Sequence, residues 1–108
     1  MNYREEVLRT AASGLAEPFS TQLSLAGLGI AGEAGEVADI IKKVLHHGKP
    51  LDREKLVLEM GDVYWYLEYL CAALGTTREA VFDANVTKLR KRYPDGFSQQ
   101  AANNRGEK

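Results

Sequence analysis

Glu33 and Glu36 stand three residues apart, and Glu59 and Asp62 repeat that spacing further along the chain. On a helix such a step keeps both side chains on one face. Neither pair falls on an evidently solvated stripe. Ile30, Ala31, Ala34, Val37 and Ala38 surround the first, and Leu58, Met60, Val63 and Tyr64 surround the second. Carboxylates that converge between packed helices repel one another and lose hydration, and both effects raise their pKa values. A hard divalent cation relieves the conflict. Mg²⁺ suits such a set, because it prefers oxygen ligands in octahedral geometry and keeps positions for water and substrate phosphates. An all-carboxylate site of this kind therefore reads as a nucleotide site. The competing reading is a plain solvated helix face, with each acid answered by Lys or Arg; one pair alone would carry little, and two pairs on adjacent helices favour the metal. Asp39 continues the first pair by another step of three, but Lys43 four residues on offers it an ordinary ion pair.

A second group of polar residues lies near the end of the last long helix expected. Asn85, Lys88 and Arg92 fall at helical spacing beside the apolar stripe Phe82, Val86, Leu89 and Tyr93. Read blandly, Lys88, Arg90, Lys91 and Arg92 are a solvated basic turn favoured by the helix dipole. Read functionally, Lys88 and Arg92 reach phosphates as point charges, and Asn85 adds or orients a ligand. Composition leaves both open. His46 and His47 precede a glycine at a helix end, where a cation suits the C-terminus, and are not spaced as ligands to the acids. Trp65 and Tyr64, Tyr66 and Tyr69 read as core or dimer interface rather than as platforms for a base.

The elements that position these residues are punctuated by glycine and proline. Residues 2–13 suit a short helix ended near Gly14. A second helix, capped by Ser20 or Thr21, runs to about His47 and stops at Gly48-Lys49-Pro50. Asp52 caps a third that reaches Leu74 and closes at Gly75. Thr76-Thr77-Arg78-Glu79 reads as a capping box with Thr76 as N-cap, opening a fourth helix that ends before Pro94-Asp95-Gly96. Apolar steps of three and four join Leu23, Ala26, Ile30, Ala34, Val37, Ile41 and Val44 in the second helix. Leu56, Met60, Val63, Leu67, Leu70 and Leu74 do the same in the third, which carries Leu58, Trp65 and Ala72 on another side. A helix so widely apolar belongs at the centre of a bundle or a dimer. Gly27, Gly29, Gly32 and Gly35 each cost roughly 1 kcal/mol against alanine in a helix interior. Close approach of a neighbouring helix and room for a flat ligand are the two reasons that would justify them. No alternating strand pattern occurs. The fold class expected is all-α: a four-helix, bundle-like domain with two central antiparallel helices, completed by dimerisation.

The chain has 108 residues, enough for one core, with 14 Lys and Arg against 15 Asp and Glu and a formal net charge of −1. That balance lacks the basic excess of a nucleic-acid or anionic-membrane binder. Cys71 is the one cysteine, so no intrachain disulfide forms, and its surroundings read as a small buried hydrophobe. The polar start Met1–Glu6 is no secretory signal, no stretch is apolar enough to span a membrane, and a reducing, cytoplasmic compartment is expected. From Ser98 onward apolar anchors are missing, and residues 98–108 read as a disordered tail.

Taken in order, Gly32-Glu33-Ala34-Gly35-Glu36-Val37-Ala38-Asp39, then Glu59-Met60-Gly61-Asp62-Val63, then Asn85 through Phe97 resemble the MazG-like nucleotide pyrophosphohydrolases of the all-α NTP pyrophosphatase superfamily. The family pattern is ExxE on one helix and ExxD on the next, and the resemblance covers about residues 22–97 within a single domain over 1–97. It implies hydrolysis of a (deoxy)nucleoside triphosphate to the monophosphate and pyrophosphate. It also implies Glu33, Glu36, Glu59 and Asp62 as ligands of Mg²⁺, with Mn²⁺ able to substitute. Glu33 or Glu36 would act as the base, and Asn85, Lys88, Arg92 and Tyr93 would contact the substrate. A homodimer or homotetramer is implied as well. The chain reads as a single compact unit without the second domain of longer relatives, an expectation that leaves the base and sugar open. The rival readings are a hydrolase of alarmone or non-canonical nucleotides, and a non-catalytic helical interaction module. A carboxylate-bridged di-iron bundle would need Glu-x-x-His pairs that the chain lacks.

Overall fold

A computed structural model describes residues 1–104. Its elements are α1 (Tyr3–Thr10), α2 (Phe19–His46), α3 (Arg53–Ala73), α4 (Arg78–Arg92) and α5 (Gln99–Asn103), and there is no strand among the described residues. The all-α expectation holds. The chain divides into two compact units, Met1–Gly75 and the part from Thr76 onward.

In the first unit the helix ends follow local chemistry. Asn2 Oδ1 accepts from the Glu5 amide at 3.1 Å, and Glu5 and Glu6 place negative charge on the first turn of α1. The N-cap of α2 is Pro18, two residues before Ser20 and three before Thr21, the caps expected, and no side chain caps the helix. The buried Gln22 takes over at this end, its Nε2 donating to the carbonyls of Leu15 at 3.0 Å and Glu17 at 2.8 Å. These bonds tie the incoming chain to the first turn of α2. At the other end Gly48, at φ +66°, turns the backbone so that the Lys49 amide returns to the Lys43 carbonyl at 3.2 Å. Asp52 is the N-cap of α3 as expected, with Oδ1 accepting from the Lys55 amide at 3.1 Å.

The short connection folds α3 back along α2. The pairing runs antiparallel, for Gly29 faces Tyr66 while Glu33 meets Glu59 and Asp62. α1 and the loop that follows it are tied to α3 by side-chain hydrogen bonds. Arg4 Nε donates to Glu68 Oε2 at 2.5 Å, with Glu68 only 6% exposed. Trp65 Nε1 donates to Thr10 Oγ1 at 2.8 Å, and the Tyr69 hydroxyl donates to the Gly14 carbonyl at 3.1 Å. Trp65 lies stacked on Tyr69, ring centroids 5.7 Å apart, so its packing role is the one realised. Val7, Ala26 and Tyr69 form the buried centre, with Tyr3, Ala11, Trp65 and Leu70 packed around it. Cys71 is buried, as its apolar setting implied.

The core differs from the stripes expected. Ala26 is buried, but Leu23, Ile41, Met60, Leu67 and Leu74 are exposed, and the buried positions of α3 are Glu68, Tyr69, Cys71 and Ala72. The periodicity gave the helices but not which of their apolar positions are covered.

Of the four glycines, Gly29 has a reason within the chain. A Cβ there would collide with the ring of Tyr66, whereas at Gly27, Gly32 and Gly35 it would meet open space. Gly29→Ala is therefore expected to destabilise by about 1–3 kcal/mol through overpacking. Gly27→Ala should stabilise by up to about 1 kcal/mol through helix propensity. Urea denaturation of the two variants against the parent checks the opposite signs.

In the second unit, the N-cap of α4 is Thr77 rather than Thr76, its side chain accepting from the Ala80 amide at 3.1 Å. Gly75, at φ +69°, ends α3 and Thr76 joins the two helices. Ala80 thus occupies the third helical position, and the reciprocal half of the expected capping box does not form. The stretch from 98, expected to lack order, carries α5, capped by Ser98 Oγ on the Ala101 amide at 3.1 Å. Residues 105–108 lie outside the described residues.

Candidate active site

α2 and α3 carry the acids at matching heights of their antiparallel pairing, and the three-residue spacing turns each pair toward one side. Glu33, Glu59 and Asp62 come together: one carboxylate oxygen from each lies within 4.8 Å of the others. Glu33 and Glu59 are half-buried and Asp62 is exposed. Glu36, also exposed, is not one of this trio, although its charge acts on Glu33. The apolar residues around the acids do not enclose them, for Leu58 and Met60 are themselves exposed.

Electrostatics mark Glu33 as the strained member. Its pKa is raised above the ordinary 4.5, first by desolvation and then by the charges of Asp62, Glu59 and Glu36. Asp39 behaves oppositely. Its carboxylate pairs with Lys43 at 2.8 Å and Lys42 at 3.2 Å, and their hydrogen bonds hold its pKa below the ordinary range. It is the ordinary ion pair anticipated. The trio around Glu33 therefore fits a divalent cation: three hard oxygen donors from two helices, with mutual repulsion that a cation would relieve.

A pH dependence follows. The folded state holds the Glu33 proton more tightly than the unfolded chain does. Without metal, this group's contribution to stability falls as pH rises from 4.5 through the raised value, and is constant above it. A cation must displace the same proton, so its affinity should climb over that window. Melting temperatures measured against pH, with EDTA and with a divalent cation, should diverge as pH rises. Parallel curves would contradict the assignment.

Sequence reasoning did not single out the cations beside Glu36. With Lys43, Lys49 and Lys55 it lines a cavity of about 260 Å³ at the α2–α3 connection. Register could have found Lys55, one turn before Glu59 on α3. The other expected residues belong to the second unit. Lys88, Arg92 and Tyr93 line a cavity of about 730 Å³, whereas Asn85 lies on α4 and is not among its lining residues.

The family model of the MazG nucleotide pyrophosphohydrolase domain matches residues 21–97. That span contains all four acids and the α4 residues. The chain is also 36% identical over 87 residues to the Gene 37 protein of Mycobacterium phage L5, covering 77% of this chain and 76% of that protein. No solved structure matches it. No helix among the described residues is long and apolar enough to cross a membrane.

Proposed function

Because the chain belongs to the MazG nucleotide pyrophosphohydrolase family, we propose that it hydrolyses a (deoxy)nucleoside triphosphate to the monophosphate and pyrophosphate in a Mg²⁺-dependent reaction. The observation that carries this reading is the convergence of Glu33, Glu59 and Asp62, with their repulsion unrelieved by any lysine or arginine pairing among the described residues. These three and Glu36 hold the cation, with Mn²⁺ able to replace Mg²⁺. When bound, the metal supplies positive charge against the phosphates as the departing pyrophosphate gains negative charge. Glu33 or Glu36 accepts the proton of the attacking water. Lys88 and Arg92 neutralise the polyphosphate, Asn85 orients it, and Tyr93 adds a ring contact. The test is pyrophosphate release from the standard ribo- and deoxyribonucleoside triphosphates, with Mg²⁺ and with EDTA. Metal-dependent release with monophosphate as co-product is expected. Silence across the panel would transfer the reading to alarmone or non-canonical nucleotides, or to a non-catalytic helical module.

The active form in this reading is a homodimer or a dimer of dimers. Leu28, Leu45, Val57 and Leu58 on α2 and α3 are each more than 60% exposed, a large apolar area for a single chain to leave in water. Leu58→Asp is expected to lower the mass measured by light scattering toward that of one chain. A parent protein already monomeric would remove the oligomer from the proposal.

A further inference from the structure

The cavity of the second unit has walls of different chemistry. On α4, Lys91 and Arg92 stand three and four residues after Lys88, so each neighbours Lys88 on the helix surface. None of the three forms an ion pair among the described residues, and Asp95 is the one acid among the described residues of the lining. Tyr93 and Phe97 bring two rings with centroids 5.7 Å apart, tilted by 39°. The same lining includes Gln100 on α5 and Asn104, the C-cap of that helix, four residues apart. The Gln99 and Asn103 amides bond each other at 3.1 Å. Those of Gln100 and Asn104 make no side-chain hydrogen bond among the described residues. Residues 98–104 lie beyond the family match, which ends at 97.

A space of about 730 Å³ is of the size that takes a small organic ligand. Cations without an ion-pair partner suit an anionic group, and Arg92 lies over the Tyr93 ring at 5.9 Å. The rings suit a planar aromatic group, and each amide offers both a donor and an acceptor. A nucleotide combines all three. We propose that α5 is the base-reading element of this protein. In this arrangement Gln100 and Asn104 hydrogen-bond the edge of a base seated against Tyr93 and Phe97, and Lys91 adds a charge contact to the phosphates. This rests on the reading above that Lys88, Arg92 and Tyr93 meet the nucleotide. Base preference is then set by a segment outside the family domain.

The experiment is calorimetric titration of the full chain, with Mg²⁺, using α,β-imido triphosphate analogues of the four bases and tripolyphosphate as the probe without a base. The parent should prefer one base over another by about fivefold or more, the scale of one good amide–base contact. The double variant Gln100→Ala, Asn104→Ala should compress that ratio toward one and leave tripolyphosphate binding unchanged. Lys91→Ala should weaken all probes alike. Unchanged base ratios in the double variant, a parent without preference, or a parent that binds no analogue would each overturn the inference. Binding is measured apart from turnover. A chain that reads bases but releases no pyrophosphate would refute the proposed reaction alone; one that turns over but keeps its ratios would refute the base-reading role alone.

Discussion

Glu59→Gln and Asp62→Asn should each lower Mg²⁺-dependent turnover by about 10²–10³-fold, the scale at which a group aimed at developing charge contributes to catalysis. The same substitutions should leave the metal-free protein no less stable than its parent. Each removes a negative charge that stands within 4.8 Å of Glu33 and contributes to raising its pKa. An acid in an ordinary surface ion pair behaves the other way, since its neutral variant loses an attraction. Asp39, held by Lys42 and Lys43, is the internal control of that kind.

The metal response sharpens the distinction. A ligand that binds only the folded state at a hundred times its dissociation constant stabilises by about 2.7 kcal/mol. The parent should show a rise of this order in Mg²⁺, and each variant little or none. Thermal melts with and without the cation, paired with pyrophosphate release, read both quantities on one preparation. Variants that kept the Mg²⁺ shift and the turnover would show that the acids on α2 and α3 are only a solvated face.

Much of this site was legible because spacing and helix geometry are short-range facts. Glu33 and Glu36, or Glu59 and Asp62, share a face wherever their helices lie, and Asp52 and Gly48 fix the turn that folds α3 back along α2. What escaped the sequence depends on which partner fills a face. Leu23, Ala26 and Ile41 lie on one regular stripe of α2, yet of the three this chain buries only Ala26. Gln22 escaped too. A glutamine that donates from the first turn of α2 back to the Leu15 and Glu17 carbonyls follows no simple motif, because its acceptors are set by the path of the loop. The Thr76 cap failed on a one-residue ambiguity between two adjacent threonines, which the conformation of Gly75 resolves. The order of 98–104 was missed because α5 has few apolar residues, so hydrophobic patterning could not signal it.

Tyr69→Ala should be the most damaging change to the fold. Tyr69 is 1% exposed, stacks on Trp65, and belongs to a buried centre that otherwise holds only Val7 and Ala26 among the described residues. Truncating a buried aromatic costs about 3–5 kcal/mol, a large share of the roughly 5–15 kcal/mol that holds a typical domain together. Tyr69→Phe separates ring from hydroxyl. It keeps the stacking and leaves the Gly14 carbonyl without its donor, so a loss near 1 kcal/mol is expected. The damage should be local in its first stage. Arg4, Thr10 and Gly14 all meet α3 between Trp65 and Tyr69, so α1 should release first and amide exchange across residues 3–10 should accelerate. Glu59 and Asp62 lie on the earlier turns of α3, where α2 is the neighbour. The folded fraction of the Phe variant should therefore keep its full response to Mg²⁺. Urea denaturation of both variants measures the two losses. A Tyr69→Ala loss below that of Tyr69→Phe would show that the ring is not what docks α1, and the buried centre would have to be sought on the uncovered faces of α2 and α3.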